Sequence, residues 1–190
     1  MNKTILIIIG LGCAVLTALA IMHYNPVSIA RRHLNDKNPR VRQNAIWTLY
    51  INMDKQSSQQ IRQFLHDEDI GVLINTMIYL SGSDYKESAP EIRNLLNNKN
   101  DAVRRAAIFA LTELNNKESV PEIRKCLNDE NERVYSQAVE SLGELGDKES
   151  IPRIKELLKD KDNWIRYRAE KSLKKLGVSE EEIQKAKEKK

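Results

Sequence analysis

The imidazole and thiol side chains, which serve most often at transition-metal and thiol-chemistry sites, are few: His23, His33 and His66, with Cys13 and Cys126. The two cysteines stand far apart, so neither a disulfide framework nor a paired-thiol zinc site is available. A glycine-rich phosphate loop and the serine elbow of hydrolases are both missing from the chain. Bond-making chemistry has no residue set to carry it, and no catalytic residue, metal or cofactor is expected. What remains is recognition by aromatic, aliphatic and basic side chains. The candidates are Trp47, Tyr50, Ile74, Ile78, Arg105, Phe109, Arg133, Trp164, Tyr167 and Lys171. Whether they form one surface depends on the elements that carry them.

Those elements repeat. The string KESVPEIRKCLND, Lys117 to Asp129, has counterparts 31 residues earlier, KESAPEIRNLLNN, and 31 residues later, KESIPRIKELLKD. Steps of 31 from Val27 give five units without a gap: 27–57, 58–88, 89–119, 120–150 and 151–181. One column reads Leu34, Leu65, Leu96, Leu127, Leu158, and another Leu49, Leu80, Leu111, Leu142, Leu173. Within the third unit Ile92, Leu95 and Leu96 make one helical face, and Val103, Ala107, Leu111 and Leu114 a second. Ser88 to Glu91 and Ser119 to Glu122 have the form of a capping box. Asp36, Asp67, Asn98, Asp129 and Asp160 mark the break before the second helix, where a short polar side chain caps it. Gly146 and Gly177 suit left-handed helix stops. Each unit is thus a helical hairpin that buries its faces only by stacking on its neighbours. Cys126 shares a column with Phe64, Leu95 and Leu157, which makes it a core thiol.

The acid or amide that precedes Val103-Arg104 (Asn98) and Ile165-Arg166 (Asp160) resembles the motif of short HEAT-like repeats of the phycobilisome-lyase type, over residues 27 to about 181. The arginine is interrupted at Leu73 and Tyr135. This resemblance implies an all-α, right-handed solenoid of five helical hairpins. It implies a non-catalytic scaffold that binds a protein or peptide on its concave face. The alternatives it leaves open are an accessory lyase-type subunit handling a tetrapyrrole and a nucleic-acid-binding protein. The His-Glu metal pairs of deoxyhypusine hydroxylase repeats are absent, since the histidines precede Tyr24, Leu34 and Asp67.

The ends are distinct from the array. Residues 1–25 contain an uncharged apolar run, Thr4 to Met22, which as a helix would extend roughly 28 Å, enough for a bilayer core. It predicts a single-pass N-terminal membrane anchor over residues 4–22. The alternatives are a leader cleaved after Ala18-Leu19-Ala20, giving a secreted or periplasmic protein, and a lipoprotein signal ending at Cys13. At the other end, residues 179–190 read as a polar capping helix that opens on Ser179 and Glu182.

Charge separates the two surfaces. With 31 basic and 27 acidic residues the chain is no polycation, and nucleic acid is not expected as a partner. Arg31, Arg62, Arg93, Arg124 and Lys155 form a column on the first helices, facing Glu87, Glu118 and Glu149 across the hinges, as an ion-pair ladder. On the second helices, steps of 100° per residue put the column Trp47, Ile78, Phe109, Glu140, Lys171 away from the core. Tyr50, Ile74, Trp164 and Tyr167 stand beside it. An apolar path rimmed by Arg40, Arg105, Arg133 and Lys171 predicts a partner that is apolar with acidic flanks.

Overall fold

The computed structural model describes residues 25–188, all helix and turn. First helices α1 (Pro26–His33), α3 (Ser58–Ile61), α5 (Ala89–Asn94), α7 (Val120–Lys125) and α9 (Ile151–Glu156) are short. They alternate with second helices α2 (Pro39–Ile51), α4 (Ile70–Gly82), α6 (Asp101–Glu113), α8 (Glu132–Leu145) and α10 (Asn163–Lys175), and α11 (Glu180–Glu188) follows. Consecutive second helices pack on one another along the array, whereas the first helices pack mainly within their own hairpin. The second helices therefore lie closer together, and they line the concave side of the solenoid.

The core runs the length of the array between the two layers. Leu49, Leu80, Leu111, Leu142 and Leu173 are completely buried, as are Val72, Val103 and Val134 beside them. Ile46, Met77, Ile108 and Val139 are buried at the junctions between units. In the last unit their place is taken by Glu170, whose carboxylate meets Lys187 of α11 at 2.7 Å and Lys174 at 2.9 Å. The charge takes the place of the apolar junction where α11, and not another hairpin, packs on the array.

Local hydrogen bonding departs from the expected caps. At Ser88 and Ser119 no capping box forms. A tight 3₁₀ turn, Lys86–Ser88, leads straight into α5, so Ser88 already has helical angles (φ −81, ψ −14) and its hydroxyl donates back to the Tyr85 carbonyl at 2.7 Å. A box does form at α11, where Glu182 N–H donates to Ser179 Oγ (3.2 Å) and Ser179 N–H to the Glu182 carboxylate (3.4 Å). The acids expected to cap the second helices stand two residues too early. Asp67 and Asp129 each accept the backbone N–H of the residue two further on, at 2.9 Å. The residues so positioned, Asn38, Asp69, Asn100, Asn131 and Asp162, then cap the helices. Each cap satisfies first-turn amides that have no partner inside the helix, worth about 1 kcal/mol. Gly146 and Gly177 end α8 and close the turn after α10 with left-handed φ of 78° and 84°. Asn115, Asp84 and Met53 adopt the same conformation one, two and three units before Gly146.

The expected membrane anchor, residues 4–22, lies outside the described residues. Among the described residues no helix is long and apolar enough to cross a membrane. The membrane localisation inferred from the sequence is corrected on that finding: the longest described helix, α8, has 14 residues and an extent of about 21 Å, short of a bilayer core of about 30 Å.

Candidate partner-binding groove

The concave face is shaped by an alternation of large and very small side chains. On α4 the outward positions are Gly71, Ile74, Ile78 and Gly82, so this helix forms a low floor. On one side Trp47 and Tyr50 of α2 rise as a wall, their rings 5.3 Å apart between centroids. Arg105 and Phe109 of α6 rise on the other. The trough between them holds about 380 Å³ and is also lined by Ala102, Ala106 and Gln137. Gly82 is needed for this shape: a Cβ there would stand 2.5 Å from the Tyr50 ring. Trp47 is 46% and Phe109 42% exposed, so neither is a core residue. Ile74, Ile78 and Tyr50 are half-buried.

A second, polar hollow of about 340 Å³ adjoins the trough across Arg105 and Gln137 and extends to Arg133, Trp164 and Arg168. Trp164 is 60% exposed and stacks with Tyr167 at 5.3 Å and 24°. The Arg168 guanidinium lies 5.6 Å from the Trp164 ring centroid while bonding the Glu140 carboxylate at 2.8 Å. Lys171 reaches the same carboxylate at 3.4 Å. Arg105 and Arg133 make no ion pair among the described residues.

The convex side has the opposite character, with its column of one base per unit engaged. Arg31 binds Asp54 at 2.6 Å, Arg62 binds Glu91 at 2.7 Å and Arg93 binds Glu118 at 3.2 Å. Arg124 bridges Asp147 at 2.7 Å and Glu149 at 2.6 Å, and Lys155 approaches Glu182 at 3.7 Å. Burial pushes the carboxyls of Asp54 and Asp147 up, but their hydrogen bonds to arginine and serine prevail and hold both below the ordinary range. Cys126 is buried, and burial pushes its thiol up to about 11, away from the thiolate a nucleophile needs. Among the described residues no three His, Cys, Asp or Glu side chains gather as a metal site would require.

A sequence family described as HEAT repeats matches residues 88–174, and the single HEAT repeat matches residues 27–51. The chain is a HEAT-like repeat protein. No curated protein matches it by sequence. Among solved structures, the HEAT array is similar to the complex of CpcE and CpcF of phycocyanin lyase from Nostoc sp. PCC7120, with a TM-score of 0.72 and 21% identity over 80% of this chain. The chain spans 65% of that lyase chain's length. It is also similar to a designed armadillo repeat protein solved in complex with the peptide (KR)4, with a TM-score of 0.59 and 15% identity over 83% of this chain and 84% of that one. A third similar structure comes from computationally designed armadillo repeat proteins for modular peptide recognition, with a TM-score of 0.58 and 16% identity over 78% and 81% of the two chains. At these identities the likeness is one of fold.

On this HEAT array, Trp47, Tyr50, Ile74, Ile78, Arg105 and Phe109 come together around the apolar trough. Arg133 and Trp164 join Arg105 at the polar hollow. Tyr167 and Lys171 line neither hollow: Tyr167 backs Trp164, and Lys171 is held by Glu140. The residues that sequence reasoning passed over are the small ones, Gly71, Gly82, Ala102 and Ala106, together with Gln137 and Arg168. A signal for them existed in the columns. Gly71 and Ala102 occupy the position that is Arg40, Arg133 and Trp164 in the other units, and the small side chain of Ala102 there leaves room in the trough.

Proposed function

We propose that this protein is a non-catalytic HEAT-repeat scaffold that holds a protein or peptide segment along the concave face of α2, α4 and α6. The observation that carries the reading is the trough itself: aromatic walls almost half exposed, standing over a floor of half-buried Ile74 and Ile78. Monomeric surfaces seldom leave such a contiguous apolar hollow uncovered. Large aromatics that are desolvated on binding are the residue types that dominate interface energy. The two designed armadillo proteins of similar fold are peptide binders by their own descriptions, which supports the same use of a concave helical face here. A non-catalytic role is supported by the burial of Cys126 and by the commitment of the convex bases to ion pairs.

The test is site-specific photo-cross-linking in the cells that make the protein. A photoreactive phenylalanine analogue replaces Trp47, Phe109 or, on the convex side, the exposed Lys125. The reading predicts adducts with a polypeptide partner from positions 47 and 109 and none from 125. Adducts from 125 alone, or from no position, would contradict it.

A further inference from the structure

From the two adjoining hollows we infer that the segment held in the groove is extended and has an acidic centre between two apolar anchors about eight residues apart. The inference rests on the concave face being the binding surface and adds the chemistry and the register of what it binds.

The charge argument comes from Arg105 and Arg133. Guanidinium groups on this protein otherwise find carboxylates readily, as the convex ladder and the Arg168–Glu140 pair show. Arg105 and Arg133 lie on consecutive second helices and line the polar hollow, yet neither makes an ion pair among the described residues. Two acids share that hollow. Asp162 is already engaged, its carboxylate accepting the backbone N–H groups of Trp164 (2.6 Å) and Ile165 (3.2 Å). Glu132 is exposed, and with Arg168 also in the lining three guanidinium groups face these two carboxylates, which leaves the hollow net positive. A carboxylate of the guest completes the arrangement, and Arg is the residue suited to grip it with two parallel hydrogen bonds. Arg133 sits in the first turn of α8, where the helix dipole also favours an anion.

The register follows from spacing. Packed helices lie about 8–10 Å apart, and an extended chain advances about 3.3 Å per residue. The trough centres on α4, the arginine pair lies between α6 and α8, and the Trp164–Tyr167 stack is on α10. Each interval is therefore one and a half helix spacings, about 14 Å or about four residues of extended chain. The guest takes an aliphatic or aromatic side chain into the trough, an acid about four residues on, and a flat apolar side chain over Trp164 about four residues beyond that. A basic guest of the (KR)4 kind, which a designed armadillo protein of similar fold holds, would meet Arg105 and Arg133 with the same sign of charge.

The experiment uses the full chain, immobilised, and a displayed library of random 12-residue peptides as probe. The enriched peptides should carry Asp or Glu near the centre with apolar residues about four positions to either side, in one chain direction. Against the best of them, Arg105→Gln with Arg133→Gln should lose about tenfold in affinity. Arg105→Glu with Arg133→Glu, its fold verified by thermal melting, should turn the selection toward basic centres. Enriched peptides without acids, or affinities unmoved by the glutamine variant, would overturn the inference while leaving the groove standing. Peptides that bind Trp47→Ala,Phe109→Ala as tightly as the unaltered chain, or a library from which nothing is enriched, would overturn the groove reading as well.

Discussion

Arg104 joins the third unit to the fourth through two parallel bonds to Asp129, at 2.7 and 2.8 Å, with both side chains about one-tenth exposed. Its other arm donates to the carbonyls of Asn98 (2.9 Å) and Lys99 (3.3 Å), tying the hinge that precedes its own helix. Arg42 repeats the arrangement on Asp67. One unit later both partners change together: Leu73 replaces the arginine and Asn98 the acid, so no carboxylate is left buried and unpaired. Tyr135 instead donates its hydroxyl to Asp160 at 3.3 Å. Removing one member of a largely buried pair strands the other's charge, so Arg104→Leu should cost about 2 to 4 kcal/mol in urea unfolding. Arg104→Leu with Asp129→Asn copies the pair that the protein already uses at Leu73 and Asn98 and should recover part of that loss. A double variant no more stable than Arg104→Leu alone would contradict the coupling. Acid should act on the same groups. Burial pushes the Asp129 carboxyl up, but the bonds from Arg104 and the Asn131 amide hold it below the ordinary range, as Arg31 and Arg124 do for Asp54 and Asp147. Because these folded values are depressed, the stabilisation is complete above the unfolded carboxylate value of about 3.9 and is lost as pH falls through the folded values. The urea midpoint should hold from about pH 7 to about pH 5 and decline below about pH 4, less steeply in Asp129→Asn. A midpoint that does not fall below about pH 4 would exclude this linkage. The motif residues of this ladder were legible in the sequence. The substitution of both members together at Leu73 and Asn98 was visible there too, but gained meaning only once the 25-residue reach from one helix to the next hinge was known.

At the scale of the helix, periodicity was sufficient and cap chemistry was not. Apolar steps of three and four residues mark both helices of each hairpin, because each buries one stripe against its neighbours. The serines before α5 and α7 match a capping pattern, yet the preceding 3₁₀ turn fixes their backbone in a helical conformation where a cap cannot form. Distances between helices were not readable at all. Gly143 of α8 faces Ser172 of α10 so closely that a Cβ would lie 2.9 Å from the Ser172 Cα, and Ser172 Oγ donates to the Val139 carbonyl at 2.8 Å. Gly143→Ala gains helix propensity but must push two helices apart. Overpacking of this kind costs about 1 to 3 kcal/mol, so the variant should melt at a lower temperature than the unaltered chain. A raised melting temperature would show that the helices can separate freely. Gly82→Ala acts on the groove in contrast, displacing the Tyr50 ring at the trough wall, and should weaken binding of a groove peptide more than it weakens the fold.

Across the whole molecule the 31-residue period fixed the architecture, since a column of leucines without a gap leaves no other way to bury so many stripes. Buried Leu111 in the middle of that column should cost about 2 to 5 kcal/mol when cut to alanine. Which outward columns would cluster was only half legible. The exposed path of aromatics could be read from helix rotation, whereas its division into an apolar trough and a polar hollow depends on the low floor of α4 and on Lys171 being drawn to Glu140. Tyr79, the largest fully buried side chain, also escaped the pattern, its hydroxyl donating to the Asp54 carbonyl beneath the first hinge. The central claim is that the concave aromatics bind and do not hold the fold together. It is tested most directly by measuring, on Trp47→Ala,Phe109→Ala in the full chain, both the free energy of unfolding in urea and the affinity for a peptide selected on the unaltered protein. The account predicts a loss of stability well below the about 2 to 5 kcal/mol of Leu111→Ala, with peptide affinity reduced at least about tenfold. Unfolding as severe as that of Leu111→Ala, or unchanged affinity with an intact fold, would contradict it.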